Sequence, residues 1–247
     1  MYPRLLISAF AFATLALAQE EPAVPEKTAE PVKPSVKQLD ETKFQVGEVT
    51  FDKKSREIRF PTKINMVEGQ LEFLLVHENG KAHEALLTTA ISPTHLNLAF
   101  TLLRYPPSRE LYSVPDMDDG QPGQMPEIPA EVKAGARVAI DVEWTENDKV
   151  RHASINEWIQ HAVTAAAMPA GPWIYGGSGF SEGKYSPEVT GDVIAIFASN
   201  AAILNYPGVD HDNDDVWTPF PKRVPAEETP ITVIITPYQN SKPLPKP

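Results

Sequence analysis

Apolar and polar positions alternate over short stretches along most of the chain, which predicts a fold rich in strands. The clearest alternation lies at 137–144, where Val138, Ile140, Val142 and Trp144 share one face. Short apolar runs between turn residues predict the other strands. They lie near 46–51, 58–60, 71–77, 82–89, 149–153, 173–177, 193–198 and 231–236.

The first expected helix follows a pair of strands. Asn79-Gly80 predicts a hairpin turn between the strands at 71–77 and 82–89. Ser92-Pro93 then supplies a cap residue and a proline at the first helical position, so a mostly buried helix is expected over 94–104.

The second expected helix also follows a pair of strands, at 137–144 and 149–153. Ser154 and Glu157 have capping-box spacing, which predicts a helix that continues to Ala162. Because the order strand, strand, helix occurs twice, a domain made of two ββα-containing lobes is an open alternative to a single domain.

Two proline-rich segments interrupt the regular pattern. Residues 105–131 contain six prolines, and 207–230 contain five. Strands outnumber helices, and no alternation of strands with helices predicts parallel βαβ units. We therefore expect an α+β fold with mostly antiparallel β-sheet, two or three short helices and long Pro-rich loops.

The N-terminus has the pattern of a secretory signal over 1–18. Arg4 precedes an apolar run, and Ala16 and Ala18 give a small-x-small cleavage pattern. An uncleaved anchor or a buried helix is the alternative. We expect cleavage near Ala18, a disordered tether rich in Pro, Glu and Lys at 19–40, a single domain at 41–238 and a disordered tail at 239–247.

Composition excludes several classes of protein. The chain has no cysteine, so it contains no disulfide, thiolate zinc site or cysteine nucleophile. Its 33 acidic and 22 basic residues give a net charge of −11, which argues against binding a nucleic-acid backbone. No stretch after residue 18 is apolar and long enough to be expected to cross a membrane.

The block at 71–103 resembles the central signature of the YdjY-type domain, and the resemblance extends loosely over 44–237. The resemblance implies an exported bacterial envelope protein and supplies no catalytic residue. It rests on Glu72, Gly80-Lys81, His83-Glu84, Thr88-Thr89-Ala90, Pro93, Trp158, the strand at 173–180, Gly191 and Asn200.

His83 and His95 are the first candidates for chemistry. Together with a carboxylate such as Glu72, two histidines would form a site for a divalent metal. The zinc-peptidase spacing fails, because Leu87 stands where a second histidine is required. The alternative is that both histidines are hydrogen-bonded structural residues.

The acidic run at 210–215 is the second candidate. Asp210, Asp212 and Asp214 alternate as in the start of a calcium-binding loop, so Ca²⁺ is a candidate cofactor. The EF-hand form is refuted, because Asp215 and Pro221 stand where glycine and glutamate are required. The alternative is a solvated acidic loop.

These features favour an exported, non-enzymatic binding or scaffolding domain of the periplasm or envelope, with an unknown envelope protein or a glycan as partner. Trp173 and Trp217 are the tryptophans that remain available for a sugar-binding face. The alternative function is a metal-dependent hydrolase that uses His83, His95 and nearby carboxylates. No complete catalytic constellation is recognisable in the sequence.

Overall fold

The structure is a computed structural model that describes residues 35–112 and 125–239. The expected signal peptide at 1–18 lies outside the described residues, as do most of the expected tether and tail. Three helices within the described residues are α1 (Pro93–Leu102), α2 (Ala130–Ala136) and α3 (Ser186–Thr190). Two 3₁₀ helices span Ala82–Glu84 and Ile155–Trp158.

Strands dominate the described residues. They are β1 (Val36–Gln38), β2 (Lys43–Val46), β3 (Val49–Asp52), β4 (Ile58–Ile64), β5 (Phe73–His77), β6 (Ala85–Thr89), β7 (Arg137–Glu146), β8 (Lys149–Ser154), β9 (Ile159–His161), β10 (Trp173–Tyr175), β11 (Phe180–Ser181), β12 (Lys184–Tyr185), β13 (Asp192–Ala195), β14 (Leu204–Asn205), β15 (Trp217–Pro219) and β16 (Pro230–Pro237).

Eight of these strands close into a barrel in the order β4, β16, β7, β10, β14, β13, β5 and β6. The barrel closes where β4 pairs with β6, through Lys63 opposite Thr88 and Ile64 opposite Leu87. The other half of β4 pairs with β3, so β1, β2 and β3 extend the sheet away from the barrel. Strand β8 extends it beside β7.

The expected α+β class is wrong, because the chain is mostly β, with a closed barrel and three short helices. The expectation of antiparallel sheets is also partly wrong, since β5 pairs with β6 and β13 with β14 in parallel. Alternation shows that a strand has one buried face, but it does not show which strands pair or whether a sheet closes.

The barrel interior is filled by the inward-facing side chains of these strands. Val138, Ile140 and Val142 of β7 are at most 2% exposed, as the alternation predicts. Ile231, Val233 and Ile235 of the neighbouring β16 belong to the same cluster. Each such side chain contributes about 1.5–3 kcal/mol on burial, so the packed interior provides most of the stability.

Strands β5, β6 and β13 are buried on both faces. Some of their apolar side chains belong to the main core. The others form a second apolar cluster with the segment that joins β13 to β14; its members are Phe73, Val76, Ala85, Ala195 and Ala202. Burial on both faces is typical of parallel strands, and it explains why these segments read as continuous apolar runs.

The expected hairpin at Asn79-Gly80 is wrong. Residues 78–84 return the chain to the start of β5, so Phe73 lies opposite Ala85 and Val76 opposite Thr88 in a parallel pair. The 3₁₀ helix at Ala82–Glu84 makes this short return. The pair β7 and β8 is an antiparallel hairpin, so the two strand pairs that resembled each other in sequence differ in direction.

One of the two expected helices forms. Helix α1 has Ser92 as its cap, with the side chain accepting from the backbone N–H of His95, and Pro93 in the first turn. The helix expected over 155–162 is wrong, because one 3₁₀ turn leads directly into β9, which pairs with β15. The pairing partner is 58 residues away, between Gln160 and Thr218, where local spacing gives no signal.

Gly80 and Gly191 hold the return against β13. The backbone N–H of His77 donates to the carbonyl of Gly191 at 2.8 Å, and that of Gly80 donates to the carbonyl of His77 at 2.7 Å. Gly191 has φ +80°, and a Cβ there would lie 2.7 Å from the Cα of Gly80. The two backbones therefore approach too closely for a side chain.

We predict that Gly191→Ala lowers the free energy of unfolding by about 2–4 kcal/mol, because it adds a backbone clash to a strained left-handed residue. Gly183→Ala is the matched control, since Gly183 has φ +76° but nothing within 4 Å of the added Cβ. That control should lose only about 1–2 kcal/mol. Urea titration measures both, and equal losses would contradict the close packing of the two glycines.

Candidate functional site

Four charged side chains from three segments lie together where β5, β6 and β13 meet. We call this group the carboxyl site; it consists of Glu72, Lys81, Glu84 and Asp192. Glu72 precedes β5, Lys81 and Glu84 lie in the return to β6, and Asp192 begins β13. Since Phe73 pairs with Ala85, the preceding residues Glu72 and Glu84 are also neighbours, and the backbone N–H of Glu72 donates to the Glu84 carbonyl at 3.1 Å.

Glu72 and Glu84 form an interacting carboxyl pair. Burial raises the pKa of Glu72, and the charge of Glu84 and a hydrogen bond with its carboxylate raise it further. The ammonium of Lys81 lowers that pKa in part, while the charge of Asp214 raises it. Glu72 therefore holds its proton more strongly than an isolated glutamate does.

Lys81 is the positive charge within the site. Its Nζ lies 3.8 Å from Oε1 of Glu84, and it also lies over the ring of Phe73, 4.9 Å from the centroid. Its charge favours ionisation of both Glu72 and Asp192. One ammonium faces several carboxyl groups, so the site is negative whenever those groups are ionised.

Asp192 is the most deeply buried member, with 4% of its surface exposed. Its Oδ2 accepts from the hydroxyl of Ser199 at 3.4 Å, and its Oδ1 has no hydrogen-bond partner within the described residues. Burial raises the pKa of the Asp192 carboxyl, and the negative charge of Glu84 adds to this effect. Asp192 is therefore a buried carboxyl whose ionised form is poorly solvated.

The predicted histidine site does not form one group. His83 is exposed, with Nε2 at 3.9 Å from Oε1 of Glu84. His95 lies in α1 against the turn at Gly47, where an added Cβ would lie 2.4 Å from its Nδ1. Glu72 is paired with Glu84, as described above. Among residues 35–112 and 125–239, no group of three or more His, Asp or Glu is placed to hold a metal ion.

The acidic run at 210–215 sends its side chains to different partners. Asp210 lies 3.5 Å from Nε2 of His161, and Asp215 accepts from the amide of Gln70 at 3.1 Å. Asp212 is exposed, and Asp214 is close enough to the carboxyl site to act on Glu72. The three candidate calcium ligands therefore do not converge in this structure. Asp214 lies instead near Glu72, which was a candidate for the other metal site.

Trp173 and Trp217, the two tryptophans proposed for a sugar-binding face, are 0% and 3% exposed. Trp173 donates its ring N–H to the side-chain oxygen of Asn156 at 3.1 Å. Trp217 packs edge-on against Tyr206 and His161. Both rings are core residues, so neither provides an exposed stacking surface.

Sequence reasoning named Glu72 but missed Lys81, Glu84 and Asp192 as site residues. The resemblance included Lys81 and Glu84, in Gly80-Lys81 and His83-Glu84, without a role, and it did not include Asp192. The missing signal was the parallel return after β5, since a hairpin would have placed Glu84 far from Glu72.

The helices of the described residues include none that is long and apolar enough to span a membrane.

We predict that Glu72→Gln stabilises the protein at neutral pH by about 0.5–1 kcal/mol, the size of a partly solvated charge interaction. The pKa of Glu72 is higher in the folded chain than in the unfolded chain, so the free energy of unfolding falls as pH rises between these two pKa values. The gain should disappear below the ordinary glutamate pKa, where both states are protonated.

Thermal melts across this pH range measure the effect, with the exposed Glu41→Gln as the control. A destabilised Glu72→Gln at neutral pH would show that the carboxylate stabilises the fold instead.

Comparison with protein families shows a match that covers most of the chain. The YdjY domain matches residues 49–236, which cover most of the chain and all four members of the carboxyl site. No curated protein and no solved structure matches the chain. The chain belongs to the YdjY domain family.

Proposed function

We propose that the chain is an exported bacterial envelope protein that acts by binding a partner and not by catalysis. The signal-like pattern of residues 1–18 supports export. The carboxyl site supports a binding role, because its groups are complementary to a positively charged partner. The partner that this chemistry favours is a basic segment of an envelope protein, which presents ammonium or guanidinium groups.

One observation carries this proposal: the fold holds carboxyl groups from separate segments where ionisation is unfavourable. The pKa values of both Glu72 and Asp192 are raised, chiefly by burial, so their charged forms lack full solvation. Such groups reduce stability at neutral pH, and they are commonly retained where they serve a function. A partner's cation beside Glu72 and Glu84 would supply the missing counter-charge.

The alternative function, a metal-dependent hydrolase using His83 and His95, gains no support from the geometry. His83 is exposed beside Glu84, and His95 lies against the turn at Gly47.

Export is tested by the intact mass of the protein recovered from the cell envelope fraction. We expect a mass that lacks Met1 to Ala18, because a signal peptidase would cleave after the small residue Ala18. A mass that retains these residues, or recovery from the cytoplasm alone, would contradict export.

Binding is tested with a labelled hexalysine peptide by fluorescence anisotropy at physiological ionic strength, where weak long-range attraction is screened. We expect Glu72→Gln/Glu84→Gln to weaken binding by about tenfold, since it removes close charge pairs. The control is Glu41→Gln/Glu131→Gln, which changes the net charge equally at exposed positions outside the carboxyl site.

The control should bind as the wild type does. Equal weakening in both double variants would show that binding depends only on net charge. Absence of binding by the wild type would contradict a cationic partner. If a neutral glycan bound instead, and the same two substitutions abolished that binding, the proposed site would stand with a different ligand.

A further inference from the structure

A second charged surface, opposite in sign, lies at the C-terminal end of α1. A cavity of about 560 Å³ opens there between α1 and the turn that joins β3 to β4. Its lining residues are Lys53, Arg56, Leu102, Leu103 and Arg104. We call it the basic pocket. Three of its five lining residues are cationic, in a chain whose net charge is −11.

The cations of the basic pocket are not neutralised by acidic neighbours. The ion pairs of the described residues, such as Arg59 with Glu143 and Lys63 with Glu228, lie outside the basic pocket. Within the described part of the chain, Lys53, Arg56 and Arg104 form no ion pair with Asp or Glu. In an acidic protein, three unpaired cations around one cavity create a local positive field.

Two of the cations are held in place by aromatic rings. Nζ of Lys53 lies 3.9 Å from the ring centroid of Phe44, and the guanidinium of Arg56 lies 3.9 Å from that of Tyr105. The hydroxyl of Tyr105 donates to the carbonyl of Arg56 at 2.7 Å. Cations fixed in this way lose little conformational entropy when they meet a ligand.

The C-terminal end of a helix carries a partial negative charge, which would repel an anion. The guanidinium of Arg56 counters this charge. Its Nε donates to the carbonyl of Leu103 at 3.2 Å, and its Nη2 donates to that of Arg104 at 3.4 Å. The exposed carbonyls of the helix end are therefore satisfied by one guanidinium. Lys53 and Arg104 are not needed for that purpose.

Arg104 stands at a position where helices usually have glycine or asparagine. The backbone N–H of Arg104 donates to the carbonyl of Thr101, and that of Tyr105 donates to the carbonyl of Phe100, which is the bond pattern of a Schellman motif. Arg104 has φ 58° and Arg56, across the pocket, has φ 61°. Left-handed backbone is unfavourable for arginine, so both residues carry a conformational cost at this cavity.

We propose that the basic pocket binds an anion that bears a phosphate group. Guanidinium groups bind phosphate oxygens through paired N–H donors, and a lysine adds a point charge. The cavity volume exceeds that of a phosphate ion, so the ligand is a larger phosphate-bearing molecule, either free in solution or as a lipid headgroup. This site is independent of the carboxyl site and of its proposed partner.

The test uses the full chain and two probes, inorganic pyrophosphate followed by calorimetry and vesicles of phosphatidylglycerol and phosphatidylcholine in equal parts followed by co-sedimentation. The site variant is Lys53→Gln/Arg104→Asn, in which asparagine suits the left-handed backbone. The control is Lys149→Gln/Lys222→Asn, which removes the same charge at two exposed positions, one of them also left-handed with φ 66° at Lys222.

We expect the wild type and the control to bind at least one probe, and the site variant to bind it about tenfold or more weakly, since it lacks two charge-assisted contacts. Binding of pyrophosphate identifies a soluble phosphate, and binding of vesicles alone identifies a headgroup. The proposal is overturned if the wild type binds neither probe, or if the site variant and the control bind equally. A thermal melt confirms that the site variant is folded, because asparagine at residue 104 should not lower the melting temperature.

Discussion

The parallel pairing of β5 with β6 determines both the closure of the barrel and the position of the carboxyl site. Because residues 78–84 return the chain to the start of β5, β6 emerges beside β5 with its far edge available to β4. The same return places Glu84 next to Glu72 and brings the backbone of Gly80 into close contact with Gly191, just before β13. An antiparallel hairpin would have reversed β6 and separated the two glutamates. The arrangement of charge is therefore a consequence of the topology.

The barrel interior and the carboxyl site have opposite effects on stability. Interior positions such as Val138, Val142 and Val233 are fully buried and apolar, and they provide the margin of stability that the fold needs. Glu72 and Asp192 reduce that margin at neutral pH, since burial opposes their ionisation. A fold without disulfides can carry such groups only where the surrounding strands are well packed, and β5, β6 and β13 are buried on both faces.

Local patterns in the sequence predicted local structure well and long-range structure poorly. The alternation at 137–144, the hairpin between β7 and β8, and the cap of α1 at Ser92 all follow from neighbouring residues, and the structure contains them. The closure between β4 and β6 and the short strand β9 depend on partners farther away in sequence, and the return after β5 packs against the distant Gly191. The candidate site was found only in part, because Glu72 was recognised, Glu84 was placed in a hairpin strand and Asp192 was not recognised.

Glu72 lies partly buried beside Glu84 and Lys81, where the fold raises the pKa of its carboxyl. The most direct measurement of this effect is a carbon-13 NMR titration of the Glu72 side-chain carboxyl in the folded protein, with Glu72→Gln used to assign the signal. We expect a pKa for Glu72 above the ordinary glutamate value, because burial and the neighbouring carboxylate both oppose its ionisation. A pKa at or below the ordinary value would show that the fold does not oppose ionisation of this group.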